Sequence, residues 1–126
     1  VEYIKTRKQF GVAIGSFQSL QHRAADMFVA LEQARSMSMF ATMASDFSDA
    51  KERSSAVAAA KVQVGKSLKF VGQQSIQLHG GIGVTAEYPI AHYAARLTAI
   101  ENTFGSTQDQ LHVLIGQLGD YEVVSV

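Results

Sequence analysis

The 126-residue chain has no cysteine, no tryptophan, a single proline (Pro89) and no net charge, since 11 basic residues balance 11 acidic ones. Without cysteine there is no disulfide, no thiol nucleophile and no Cys-based zinc site. The composition fits a reducing compartment, and a cytoplasmic location is expected. Charge balance argues against a general nucleic-acid or polyanion surface and leaves only local basic clusters. No apolar run reaches the ~18 residues of a membrane span, and no signal peptide is visible. The chain opens on Val1-Glu2-Tyr3-Ile4, without methionine and already helical in pattern, which reads as a piece of a longer protein.

What is there is apolar and helix-forming. Apolar residues make up 47% of the chain, enough for a folded core. Ala, Gln, Met and Leu abound, and all four favour helix. The length suits one domain, residues 1–126.

Residues 1–8 read as the end of a helix, and Gly11 and Gly15 punctuate the loop after it. Ser16 is the expected N-cap of a long helix reaching about Ser45. Its stripe is Leu20, Ala24, Met27, Leu31, Ala34, Ser38 and Ala41, the three-and-four spacing of a bundle helix. Met27, Met37, Met39 and Met43 read as core filler. Asp49 and Glu52 resemble a capping pair before a second long helix, about Lys51 to Leu78. That helix carries the stripe Val57, Ala60, Val64, Leu68, Val71, Ser75 and Leu78. Pro89 suits the first turn of another helix, with stripe Ile90, Tyr93, Leu97, Ile100 and Phe104, broken by Gly105. Ser106 and Asp109 form a capping-box start for a last helix, which Gly119 stops. Short connections between these helices imply an all-α fold, an antiparallel up-down four-helix bundle with a short fifth helical segment at the N-terminus.

Three clusters could carry chemistry. In Thr6-Arg7-Lys8-Gln9-Phe10-Gly11, an arginine that can hold phosphate bidentately stands beside an aromatic that can stack on a base. The same cations also suit a plain helix C-terminus. Gln77-Leu78-His79-Gly80-Gly81-Ile82-Gly83 packs three glycines into four residues, which lets a ligand approach the backbone. It follows a helix rather than a strand and lacks Gly-Lys-Ser/Thr, so it fits neither a Rossmann fingerprint nor a P-loop, and an ordinary helix connection remains open. Ser106-Thr107-Gln108 opens a helix, where free N–H groups suit a phosphate or simple capping. His22, His79, His92 and His112 lack metal-ligand spacing, so no metal site is expected.

Taken in order, these segments resemble the C-terminal helical domain of the flavin-dependent acyl-CoA dehydrogenases. Arg7-Lys8-Gln9-Phe10-Gly11, with Phe17-Gln18 and Asp26-Met27, matches the family's Arg-x-Gln-Phe-Gly … Phe-Gln … Ala-Asp-Met run. Gln77 to Gly83, with Glu87-Tyr88-Pro89, matches its Gln-x-x-Gly-Gly-x-Gly … Glu-Tyr-Pro segment. The resemblance implies FAD as cofactor, an acyl-CoA substrate oxidised to a trans-2-enoyl-CoA, and an electron-transfer flavoprotein as electron acceptor. It implies a homo- or hetero-oligomer, dimer or tetramer, with FAD at a subunit interface. Carried over residue by residue, Arg7 meets the FAD pyrophosphate, and Phe10 and Gln18 surround the adenosine end. Gln77 and Gly81 reach the dinucleotide from a neighbouring subunit, and Gln108 also touches it.

One position departs from the family. In many members a Tyr-Glu-Gly-Thr segment carries the catalytic base, and here it reads Thr103-Phe104-Gly105-Ser106. Phe104 cannot accept a proton. Three explanations stand open: a base on the helix before Arg7, a partner chain that supplies the complete site, or Glu101 one turn earlier. As a base, Glu101 would have a raised pKa in a desolvated site. The rival reading of the whole is a non-catalytic structural subunit of a heteromeric dehydrogenase.

Overall fold

The structure, a computed structural model, describes residues 1–119. Its elements are helix α1 (Glu2–Thr6), strands β1 (Lys8–Gln9) and β2 (Val12–Ala13), then helices α2 (Gln18–Ala44), α3 (Ala50–His79), α4 (Pro89–Glu101) and α5 (Thr107–Leu118). The all-α bundle with a short N-terminal helix is present as expected, and the strands form only a minimal antiparallel pair. The expected domain limit at residue 126 lies outside the described residues.

Local chemistry sets most boundaries. Asp49 caps α3, its carboxylate accepting from the Lys51 and Glu52 backbone N–H groups at 2.7 and 2.9 Å. Pro89 stands in the first turn of α4, where its missing N–H costs nothing. Ser106 and Asp109 form a complete capping box at α5. Ser16 does not cap α2. Its hydroxyl donates instead to the Ala13 carbonyl at 2.7 Å, inside a 3₁₀ turn, and Phe17 takes the cap position.

The core sits along α3, against which α2, α4 and α5 each pack. The helix is 30 residues long, about 45 Å at 1.5 Å per residue. Contact on several sides is why most of its buried residues are small: Ala56, Ala58, Ala60, Gly65, Ser67 and Gly72, beside the larger Val62 and Leu78. The single stripe read from the sequence is therefore too narrow here, and Val57 is 45% exposed. The apolar reading of α2 and α4 is too wide: Leu31 of the α2 stripe, Met39 and Met43 of the expected core methionines and Tyr93 of the α4 stripe are uncovered by the chain's own described residues, as are Ile115 and Leu118 on α5.

Candidate functional site

The candidate residues fall into two groups. The first gathers at the end of α3 that carries the glycine loop. α1 stops at Arg7, whose backbone is extended and feeds β1. The strands pair Lys8 with Ala13 and Gln9 with Val12, leaving Phe10 and Gly11 as a two-residue loop. Both have positive φ, 53° and 82°, as in the primed turns that match the twist of paired strands. Such turns favour Asn-Gly; phenylalanine in the left-handed region costs about 1–2 kcal/mol. Phe10 is nevertheless 90% exposed, its ring edge-on to Phe17 at 6.1 Å between centroids. A strained, solvent-facing aromatic is the kind of feature that a binding role explains and folding does not.

The glycine loop closes the same end. Gly80 ends α3 at φ 62° and returns its N–H to the Gln77 and Ile76 carbonyls. Gly83 is needed for packing, since a Cβ there would lie 2.8 Å from the Ile76 carbonyl oxygen. Gly81 has neither reason: its φ is not positive, and a Cβ would meet nothing within 4 Å. α1 reaches this loop through Tyr3, whose hydroxyl donates to the His79 carbonyl at 3.3 Å. Arg7, Gln18 and Gln77 are all exposed, and none of the three side chains has a hydrogen-bond or ion-pair partner among the described residues.

The second group lies near Gly65, 14 residues back along α3 and so roughly 21 Å away. Here the Glu101 carboxylate accepts the Thr107 backbone N–H at 2.7 Å. The Lys61 ammonium donates to the Glu101 and Ile100 carbonyls at 3.0 and 3.3 Å. The Thr107 hydroxyl is buried beside Glu101 and helps to steady its charge. These contacts, the Thr107 N–H above all, hold the Glu101 carboxyl below its ordinary pKa, helped by Lys61 and Lys69. That is the opposite of the raised value expected of a base. The Asp109 carboxyl is lowered too, by the Ser106 N–H and hydroxyl. The N–H groups at the start of α5 are thus taken by carboxylates of the chain itself, Ser106 by Asp109 of α5 and Thr107 by Glu101 of α4, so the anion site considered from the sequence is closed at Ser106 and Thr107.

Between Glu101 and α5 the chain turns through Phe104 at φ 58° and Gly105 at φ 90°. Phe104 lies outside α4 and is 95% exposed, so it is no part of that helix's buried stripe. Gln108 is exposed, its amide 3.2 Å from His112 Nε2. A groove of about 890 Å³ runs along α3 and α4 from Gly83 and Val84 to Glu101, Thr107 and Gln108; Gln108 lines it, while Arg7, Phe10, Gln18, Gln77 and Gly81 do not.

Sequence reasoning missed Tyr3, Lys61 and Gly65 as shapers of the site, and it placed Thr107 in a candidate cluster without its packing against Gly65. Gly65 was the one with a signal, a glycine inside a long helix, where glycine is costly without a packing reason. The reason is Thr107, whose hydroxyl oxygen would stand 2.0 Å from a Cβ on residue 65.

Comparison with known proteins gives the lineage. Residues 1–118 match the family model described as acyl-CoA dehydrogenase, C-terminal domain. The chain is 37% identical over 114 residues to the acyl-CoA dehydrogenase IpdE2 of Mycolicibacterium smegmatis, covering 90% of this chain and 34% of that protein. Among solved structures it is similar to the FAD complex of PigA, with a TM-score of 0.82 and 30% identity over 94% of this chain and 30% of that one. It is also similar to the ChsE4-ChsE5 complex from Mycobacterium tuberculosis, with a TM-score of 0.84 and 27% identity over 97% of this chain and 33% of that one. The chain thus spans about a third of the length of these relatives. It belongs to the acyl-CoA dehydrogenase family, and residues 1–118 are that family's C-terminal domain.

Proposed function

We propose that this chain is the FAD-contacting and oligomerising domain of a flavin-dependent acyl-CoA dehydrogenase. The observation that carries the reading is the open, unpartnered set at one end of α3: Arg7, Phe10, Gln18, Gln77 and Gly81. Its donors fit a dinucleotide. A free guanidinium can hold a pyrophosphate by two charge-assisted hydrogen bonds. An exposed ring can lie on an adenine. Free amides suit polar ligand edges, and the empty space over Gly81 admits a neighbour's ligand to the backbone.

Arg7 orients the pyrophosphate, Phe10 and Gln18 hold the adenosine end, and Gln77 and Gly81 serve the dinucleotide bound in an adjoining subunit. Gln108 reaches a bound dinucleotide from the start of α5. FAD supplies the hydride acceptor for oxidising an acyl-CoA to a trans-2-enoyl-CoA, and the electrons pass to an electron-transfer flavoprotein. The exposed apolar residues of α2 and α5, among them Phe28, Met39, Met43 and Ile115, suit burial against other subunits or domains. The substrate pocket and the catalytic base come from elsewhere in the full protein or from a partner chain.

A second reading is favoured by one place in the fold. Phe104 occupies the family's usual base position, and Glu101 is engaged as a cap with a lowered pKa. A subunit with neither base keeps the interface and a half-site for flavin while its partner does the chemistry. Similarity to a structure described as the ChsE4-ChsE5 complex supports a two-chain assembly. Expressing the full-length protein alone and with a neighbouring dehydrogenase-like chain separates the readings. Turnover by the protein alone supports the complete enzyme; turnover only with the second chain supports the structural subunit; absence of flavin from both preparations contradicts each.

A further inference from the structure

His79 stands where four segments meet. It is the last residue of α3 and precedes Gly80. Its ring stacks on Tyr3 of α1, centroids 4.2 Å apart and planes 28° apart. Tyr88, just before α4, leans on the other two, 5.3 Å from His79 and 6.0 Å from Tyr3. His79 Nδ1 lies 2.7 Å from the Ser75 carbonyl oxygen, so that nitrogen carries the proton and the hydrogen bond fixes the ring plane. The glycine loop folds back over the same residue: a Cβ on Gly83 would lie 3.0 Å from His79 Cβ.

α1 has only five residues, too few to be stable alone. Its direction is set by what its side chains grip. Ile4 is buried, with its carbonyl oxygen 2.8 Å from where a Cβ on Gly15 would be. Tyr3 grips His79 by both ring and hydroxyl. Arg7 lies one turn beyond Tyr3 and its backbone N–H donates to the Tyr3 carbonyl at 2.8 Å, so the hold on Tyr3 bears directly on the backbone from which the guanidinium extends.

We infer that His79 is a positioning residue: its stack with Tyr3 and Tyr88 locks the helix ending at Arg7 to the loop beginning at Gly80, so that both are presented to flavin as one rigid unit. This rests on the flavin reading above. The two candidate contact sets of one chain then move together, and loosening the stack weakens both without removing any contacting group.

The test is FAD affinity of the full-length flavoprotein, with thermal stability of the apo form measured alongside. His79→Phe keeps a flat ring, His79→Leu keeps volume without one, and Tyr3→Leu removes the other half. Expected is a loss on the order of tenfold in FAD affinity for His79→Leu and for Tyr3→Leu, and a smaller loss of about two- to threefold for His79→Phe, which keeps the stacking ring but lacks the Nδ1–H that bonds the Ser75 carbonyl. The double variant His79→Leu/Tyr3→Leu loses little more than either single one. Affinity unchanged in His79→Leu, an equal loss in His79→Phe, or fully additive losses would overturn the inference. Arg7→Ala is the control. If it lowers affinity while His79→Leu does not, only the positioning role fails. If Arg7→Ala keeps flavin fully, the flavin reading fails and the positioning role with it.

Discussion

The Glu101 carboxylate accepts the backbone N–H of Thr107 at 2.7 Å, tying the end of α4 to the first turn of α5. The bond favours the ionised carboxylate, as its lowered pKa records. A group held ionised by an internal cap is a poor proton acceptor for a weak carbon acid, which needs a base poised nearer neutrality.

Glu101→Gln keeps an acceptor for the Thr107 N–H while removing the basic carboxylate. Turnover of the full assembly should stay within a few-fold of wild type, because the base lies elsewhere. Steady-state kinetics on an acyl-CoA checks this, and a fall of several orders of magnitude would restore Glu101 as base.

Gly65 and Thr107 form a second, testable pair. A methyl at residue 65 collides with the Thr107 hydroxyl oxygen at 2.0 Å. Gly65→Ala should destabilise the fold by about 1–3 kcal/mol, as overpacking does. Thr107→Ala removes the clashing atom, so the double variant should recover part of that loss. Equal denaturation midpoints for Gly65→Ala and wild type would show that α5 is free to shift.

Acid should loosen the same joints. Asp49, Glu101 and Asp109 all titrate below their ordinary values of 3.8, 4.5 and 3.8, each chiefly because backbone N–H groups donate to it. A carboxyl with a depressed folded pKa contributes stability that is complete above its unfolded pKa and is lost as pH falls through the folded one. Stability to urea should therefore be level, as far as these groups decide it, above about pH 5 and decline from about pH 4.5 downward. Carboxyl midpoints followed by NMR should fall below the ordinary values; midpoints at or above them would contradict the caps.

Phe104 is held in the left-handed region yet packs on little, being 95% exposed. Phe104→Gly relieves the backbone strain and adds unfolded-state entropy, two effects of about 1 kcal/mol and opposite sign. Stability should change by less than about 0.5 kcal/mol. A larger loss, read by chemical denaturation, would mean that the ring holds the fold rather than serving an external contact.

Much of this was legible in advance, for local reasons. Asp49, Pro89, Ser106 and Asp109 act within three residues of where they stand, so their roles show in the residue string. Ser16 misled because a hydroxyl can satisfy either of two nearby backbone groups, and the 3₁₀ turn took it. Leu31 and Tyr93 misled because periodicity shows which face is apolar, not what covers it, and Met39 and Met43 because an apolar residue type does not show it either. The grip of Tyr3 on His79 spans 76 positions and left no mark on spacing. The closed N-terminus of α5 was hidden for the same kind of reason: Glu101 reaches it across the Phe104 turn.

The central claim is that the open end of α3 holds FAD, and Arg7 tests it most directly. Full-length protein purified with its partner should carry flavin, seen by its visible absorbance. Arg7→Ala should weaken retention on the order of 10- to 100-fold, the worth of charge-assisted bonds to a pyrophosphate. Flavin occupancy and affinity unchanged in Arg7→Ala would contradict the account.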